Sequence, residues 1–185
     1  MITRDKILSI IHNAGQSETK TNALFTLRKR GWIRYIFKGY YYLLTPEEKY
    51  GKYTQYTSSE MLFTALNKLK INWYLGLQSA LEYNNVLWQG HGALVILNNK
   101  VSGVRTVQGT KVQFRKMKKE YFFGILSMET KNRITVYYSD KEKTVADFAY
   151  FNEQSPGEPL RSIDKEKASG YLNKYSKVVQ RRALS

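Results

Sequence analysis

Hydrophobic residues in the first third of the chain recur twice at helical spacing. Thr3 is a suitable cap for a first helix over residues 3–13. The apolar stripe of this helix consists of Ile7, Leu8, Ile10 and Ile11. A second helix is predicted over residues 21–30, because Gly31 provides a stop signal directly after it. The inward-facing residues of the second helix are Ala23, Leu24 and Leu27.

A β-hairpin is predicted directly after the second helix. Two runs of aromatic and β-branched residues, over 32–37 and 40–44, are separated only by Lys38 and Gly39. Helix, turn, helix and hairpin is the order of a small winged-helix unit, which we assign to residues 1–52. A full winged helix has three helices before its hairpin, whereas this segment has room for two. The predicted N-terminal domain is therefore an abbreviated winged helix.

The remaining two-thirds of the chain mix helical and strand patterns. We predict a connector over residues 45–57 and a second domain over 58–185. Helices are predicted over 59–69 and 74–84, and strands over 93–97, 104–107, 111–114, 122–128 and 134–138. Helices over 142–151 and 164–181 close the chain. The predicted fold class is α+β, with the abbreviated winged helix followed by a mixed α+β domain that has a sheet and flanking helices.

The composition excludes several classes of protein. The chain has no cysteine, which rules out disulfides, thiolate metal sites and cysteine nucleophiles. No segment approaches the roughly 20 apolar residues that a membrane span requires. The first residues also lack the apolar core of a signal peptide. We expect a cytoplasmic protein without a membrane partner.

Positive charge is the dominant feature of the composition. Lysine and arginine number 30 against 15 acidic residues, which gives a formal net charge of +15. Such an excess favours a polyanionic partner, because each neutralised phosphate releases condensed counterions. No acidic residue lies between positions 19 and 37, where the second helix and the hairpin are predicted. We predict that this element binds duplex DNA through Lys20, Asn22, Thr26, Arg28, Lys29, Arg30, Arg34 and Lys38.

Different roles are expected within this set. Asn22 can bond adenine through two hydrogen bonds, and Thr26 can bond a base edge or contact a thymine methyl group. The residues suited to phosphate contacts are Arg28, Arg30, Arg34 and Lys38. The alternative is an ordinary solvated helix and hairpin. Two further basic runs, over 100–119 and 174–182, either extend the DNA surface, meet an acidic partner or serve solubility.

Three closely spaced acids raise the question of a metal-dependent nuclease. Asp140, Glu142 and Asp147 could hold Mg²⁺ if their side chains converged. They lie at a predicted strand-to-helix junction, however, where acids more simply cap a helix and complement its dipole. Glu142 and Asp147 are also five residues apart, so they diverge in direction on a helix. We therefore expect no catalytic residue, no metal site and no cofactor.

Three segments, taken together, carry a family resemblance. They are residues 28–34 with 37–41 (RKRGWIR, FKGYY), residues 74–83 (YLGLQSALEY) and residues 139–147 (SDKEKTVAD). The first resembles the helix end, basic strand and wing of AbiEi-type antitoxin regulators. The second resembles the helix that opens the antitoxin domain of that family, and the third resembles its S-D-x-E-K-T-x-x-D segment. The three matches occur in the family's order.

The resemblance implies a repressor and antitoxin. The winged helix would bind inverted repeats in its own promoter, with self-association on the DNA. The second domain would counter a nucleotidyltransferase-like toxin encoded beside it, often without a stable complex in that family. Glu142, Lys143, Thr144 and Asp147 would then be structural or antitoxic. The alternatives are a non-enzymatic interaction module that neutralises a partner without sequence-specific DNA binding and, less favoured, a metal-dependent nuclease.

Overall fold

The structure, a computed structural model, describes residues 1–3, 5–7, 20–86, 92–154 and 163–184. The chain divides into two compact units, each of which contains both helices and strands. Unit 1 comprises residues 1–70 and 107–110, and unit 2 comprises residues 71–106 and 111–185. The fold class is α+β, as predicted. Within the described ranges, no helix has the length and hydrophobicity that a membrane crossing requires.

Unit 1 contains a three-stranded antiparallel sheet and three helices whose full extent the structure describes. Its elements are β1 (Ile2–Thr3), α1 (Lys20–Lys29), β2 (Ile33–Phe37), β3 (Tyr40–Leu43), α2 (Pro46–Gly51) and α3 (Ser58–Lys68). The strand order is β1-β3-β2, so the N-terminal strand pairs with the second strand of the hairpin. The predicted first helix, over 3–13, falls mostly outside the described residues. Its described part, Asp5–Ile7, is helical, and the amide of Lys6 bonds the Thr3 hydroxyl.

Helix α1 ends through a glycine in the left-handed region, as predicted. Gly31 has a φ of +73°, and its amide bonds the carbonyl of Arg28 at 3.0 Å. The next amide, that of Trp32, bonds the carbonyl of Leu27 at 2.9 Å. These two bonds form the Schellman motif, and Trp32 and Leu27 pack against the same small core. The chain therefore turns directly from α1 into β2.

The hairpin between β2 and β3 has the predicted two-residue turn. Lys38 and Gly39 both have positive φ values, +43° and +81°. Positive φ at both central positions defines the type I′ turn, whose twist matches that of the flanking strands. The Lys38 side chain is exposed at the tip of this turn.

The predicted connector over 45–57 is wrong, because residues 46–51 form helix α2. Thr45 caps the helix and accepts a hydrogen bond from the Glu48 amide, while the Glu48 carboxylate accepts one from the Thr45 amide. Pro46 occupies the first turn, where a missing amide hydrogen costs nothing. Helix α3 also contacts β2 and belongs to unit 1, whereas the sequence-based boundary places it in the second domain.

Unit 2 is built on a six-stranded mixed sheet. Its strands are β4 (Trp73–Leu75), β5 (Leu94–Asn98), β6 (Gly103–Val107), β7 (Thr110–Lys116), β8 (Ile125–Glu129) and β9 (Thr135–Ser139). The strand order is β6-β7-β5-β4-β9-β8. The pairs β4–β9 and β5–β7 are parallel, and the pairs β4–β5 and β8–β9 are antiparallel. The strand residues 107 and 110, at the tip of the β6–β7 hairpin, are grouped with unit 1.

The helix predicted over 74–84 is only half right. Residues 73–75 form the central strand β4, and helix α4 spans only Gln78–Tyr83. All three residues of β4 are buried, so the strand shows no alternation of polar and apolar positions. In the sequence, this short apolar run therefore cannot be distinguished from the first turn of the helix that follows it.

The C-terminal helices pack against one another. They are α5 (Lys141–Phe151), α6 (Lys165–Leu172) and α7 (Lys177–Leu184), and α5 contacts both of the others. The single helix predicted over 164–181 is therefore two helices. The Tyr175 side chain between them is buried in the core of unit 2 together with Tyr74, Leu81 and Phe148.

Candidate nucleic-acid interface

Helix α1 buries one face and exposes the other as predicted. Ala23 and Leu24 are buried in the core of unit 1, and Leu27 is partly buried against it. On the opposite side, Asn22 and Lys29 are exposed and Thr26 is half-buried. The spacing of these three residues places them on one helical face. The polar face is thus available for contact with another molecule.

The exposed face of α1 also contains a large hydrophobic residue. The Phe25 side chain is 65% exposed, between the positions of Asn22 and Lys29 on the helix surface. The sequence-based assignment missed Phe25. Its position was nevertheless readable, because Phe25 lies three residues after Asn22 and four before Lys29 at helical spacing.

The basic residues predicted to contact phosphates are not equivalent in the structure. Arg28 and Arg30 at the end of α1 are exposed, as is Lys38 at the hairpin tip. Arg34 is instead half-buried on β2, where its charge acts on Glu48 and Tyr42. Lys20 begins α1. Exposed cations therefore lie at the end of α1 and at the hairpin tip, whereas Arg34 is half-buried on β2.

Glu48 anchors the segment that follows the hairpin. Its carboxylate accepts hydrogen bonds from the amide of Gln55 at 2.8 Å, the amide of Thr45 at 3.0 Å and the hydroxyl of Tyr42. Burial opposes ionisation of Glu48, but these hydrogen bonds and the charge of Arg34 outweigh burial and lower its pKa. A lowered pKa means that folding favours the ionised carboxylate.

We expect the substitution Glu48→Gln to destabilise unit 1 by about 1–3 kcal/mol near neutral pH, because charged hydrogen bonds are lost in a buried site. The stabilisation that Glu48 gives is present above its ordinary pKa and is lost as the pH falls through its lowered folded pKa. The difference between wild type and variant should therefore shrink between about pH 7 and about pH 3. Urea unfolding, monitored by circular dichroism at both pH values, measures this difference in the free energy of unfolding. A pH-independent difference would contradict the role of the charge.

The three acids that raised the question of a nuclease lie in unit 2, where Asp140 and Glu142 share one lysine partner and Asp147 lies in a separate network. Asp140 caps α5, as predicted, and accepts a hydrogen bond from the amide of Lys143 at 2.7 Å. Its second oxygen lies 2.9 Å from the ammonium of Lys167. Glu142 bonds the same ammonium at 3.1 Å and the amide of Asp164 at 3.1 Å. Hydrogen bonds to these two acids raise the pKa of Lys167.

Asp147 belongs to a separate, fully buried network. It forms an ion pair with Lys143, one turn earlier on α5, and both side chains have no exposed surface. The hydroxyl of Tyr74 donates to Asp147 at 3.2 Å, and the ammonium of Lys143 donates to the hydroxyl of Tyr175 at 2.6 Å. Burial raises the pKa of Asp147 and lowers that of Lys143, while their mutual attraction opposes both shifts. No solvent or substrate reaches these atoms directly.

A further acid of unit 2 lines a cavity. The cavity, of about 480 Å³, lies beside α5 and α7, and the acid that lines it, Glu153, is ion-paired with Arg115. Over the ranges that the structure describes, no three histidine, aspartate or glutamate residues come together as a metal site.

Comparison with known proteins identifies a shared fold. No protein-family model and no curated protein matches the sequence of the chain. Among solved structures, the chain is similar to the RV2827C protein from Mycobacterium tuberculosis, with a TM-score of 0.63 and 14% sequence identity. The similarity covers 98% of this chain and 69% of that one. At this identity the similarity shows the α+β fold alone.

Proposed function

We propose that the chain is a duplex-DNA-binding regulator whose unit 1 docks α1 and the β2–β3 hairpin on DNA. The observation that carries this proposal is the set of exposed cationic and polar side chains on α1 and at the hairpin tip. Arg28, Arg30 and Lys38 are exposed there, and the polar residues Asn22 and Lys29 lie on the exposed side of α1. Cations that are held on a rigid helix and turn suit phosphate contacts, and a polar helix face suits base contacts.

The strand order of unit 1 supports a winged-helix interpretation. The last helix before the hairpin is α1, and the Schellman turn at Gly31 joins it directly to β2. The N-terminal strand β1 pairs with β3, so β1 and the hairpin form one three-stranded sheet. In this interpretation α1 is the recognition helix and Lys38 is the tip of the wing.

The proposal makes a sequence-preference prediction for Asn22. The substitution Asn22→Ala should weaken binding to DNA from upstream of the chain's own gene by about 5- to 100-fold, the range expected for loss of a bidentate base contact. Binding to random duplex should stay unchanged, because the phosphate contacts remain. A gel-shift titration with both duplexes at one salt concentration measures the two affinities. Equal losses on both duplexes would contradict base readout by Asn22.

We extend the proposal to an antitoxin function through the AbiEi-type resemblance. The segment that carries the S-D-x-E-K-T-x-x-D pattern is a strand end followed by α5, with Asp140 as its cap and Lys143 and Asp147 buried. These residues stabilise unit 2, and in this proposal catalysis belongs to the toxin. A nucleotidyltransferase-like enzyme encoded beside this gene is the proposed target.

The antitoxin function can be separated from DNA binding in the full chain. We expect the variant with alanine at Arg28, Arg30 and Lys38 to lose repression of its own promoter but to rescue growth when the adjacent toxin gene is induced. The variant and the toxin are both expressed from promoters that the chain does not regulate. Loss of repression therefore does not change the amount of either protein. Failure of the wild-type chain to rescue growth would contradict the antitoxin proposal and leave the DNA-binding proposal standing.

A further inference from the structure

Phe25 is an apolar residue whose neighbours on the helix surface are polar and cationic. Its side chain is 65% exposed, although Ala23 and Leu24 on the same helix are buried. The residues next to it on the exposed helix surface are Asn22, three positions earlier, and Lys29, four positions later. Over the part of the chain that the structure describes, no aromatic ring packs on Phe25. Burial of this apolar side chain against a partner would be favourable, because it would remove apolar surface from water.

The neighbours of Phe25 distinguish between possible partners. Lysine is depleted in the buried centres of protein–protein interfaces, yet the exposed Lys29 lies on the same face of α1 as Phe25, one turn later. A partner that accepts cations and an apolar ring side by side must carry both negative charge and a small apolar group. The major groove of DNA has both, because phosphates flank it and the C5-methyl group of thymine projects into it.

We propose that Phe25 is a specificity residue that contacts the C5-methyl group of thymine in the DNA major groove. This inference rests on the proposed function, in which α1 enters that groove. It gives the exposed face two kinds of base contact, since Asn22 bonds the edge of an adenine and Phe25 covers a thymine methyl. The preferred site should therefore contain an adenine and a thymine that lie close together, within the reach of one helical turn.

The test compares thymine with deoxyuridine, which lacks only the methyl group. A duplex is first selected from a randomised 20-base-pair library with the wild-type chain. Each thymine of the selected duplex is then replaced in turn by deoxyuridine. We expect wild-type affinity to fall by about fourfold at one or two positions, the factor that corresponds to one buried methyl group. At the other positions the replacement should have no effect.

The substitution Phe25→Ala should abolish this discrimination. The variant should bind the thymine and deoxyuridine duplexes equally, with about tenfold lower affinity for the selected duplex than wild type. Its affinity for random duplex and its salt dependence should match those of wild type, which shows that the variant is folded and docks normally. Tyr53→Ala removes another exposed aromatic side chain of unit 1 and serves as the matched control.

The outcomes separate this inference from the proposed function. If wild type binds a selected duplex but ignores the methyl group, or if Phe25→Ala still detects it, the inference is overturned and DNA docking stands. If Tyr53→Ala loses discrimination as Phe25→Ala does, the assignment to Phe25 is also overturned. If wild type binds no duplex at all, the proposed function fails together with the inference.

Discussion

Replacement of Arg28, Arg30 and Lys38 together by alanine is expected to lower affinity for every duplex by on the order of 100-fold at physiological salt. All three side chains are exposed, at the end of α1 and at the hairpin tip. Each phosphate contact contributes about 0.9 to the slope of log affinity against log salt, so the slope should fall by about 2.7. A fluorescence-anisotropy titration with random duplex at several salt concentrations measures both quantities.

A control with the same net charge separates local contacts from overall electrostatics. The substitutions Lys131→Ala, Arg133→Asn and Lys165→Ala remove three exposed cations of unit 2, outside the proposed surface. We expect this variant to keep nearly all of the wild-type affinity and salt slope, because distant charges are screened beyond about 10 Å. Equal losses in the two triple variants would mean that net charge, and not the surface of α1 and the hairpin, determines binding.

The second large effect is expected at the buried ion pair of unit 2. Removal of one partner, by Lys143→Met or Asp147→Leu, should destabilise unit 2 by about 3–5 kcal/mol, because the other partner keeps an uncompensated buried charge. Lys143 and Asp147 have no exposed surface, so water cannot replace the lost partner. Amide hydrogen exchange of helix α5 measures the free energy of opening locally and does not require two-state unfolding of the whole chain.

The double variant tests whether the two charges act as a pair. Lys143→Met with Asp147→Leu removes both charges and fills the space with apolar groups, so the loss should be smaller than that of either single variant. The hydroxyls of Tyr74 and Tyr175 lose a partner, which limits the recovery. Strictly additive losses in the double variant would contradict coupling between Lys143 and Asp147.

The elements with local signals could be predicted from the sequence. The stop at Gly31, the Lys38-Gly39 turn and the cap at Asp140 each depend on a few adjacent residues, and the structure confirms them. The strands after residue 92 were also predicted, within three residues at each end, because turn residues separate them clearly. These features require no knowledge of tertiary contacts.

The errors occurred where tertiary context decides local structure. Strand β4 is buried on both faces and only three residues long, so its period could not be distinguished from that of a helix. The break between α6 and α7 has no glycine or proline in its sequence, and it brings the buried Tyr175 into the core. Helix α2 was readable in principle, because Thr45 and Glu48 have capping-box spacing.

The candidate interface was predicted in outline and changed in detail. The exposed positions of Arg28, Arg30 and Lys38 follow from the helix and turn, which local sequence defines. Arg34 is half-buried, and its charge helps to lower the pKa of Glu48, fourteen residues later, which the charge pattern could not predict. The burial of Lys143 likewise depends on Tyr74, which is distant in the sequence. A structure is therefore required to distinguish basic residues on the surface from those in the interior.

The central claim is that α1 enters a groove of duplex DNA, and affinity cleavage tests it most directly. The chain has no cysteine, so a single Thr26→Cys variant can carry an iron–EDTA group at one position on α1. Lys131→Cys, an exposed position in unit 2, is the control. We predict strand cleavage confined to a few adjacent base pairs of the upstream duplex from position 26, and none from position 131. Diffuse or equal cleavage from both positions would contradict the docking of α1 on DNA.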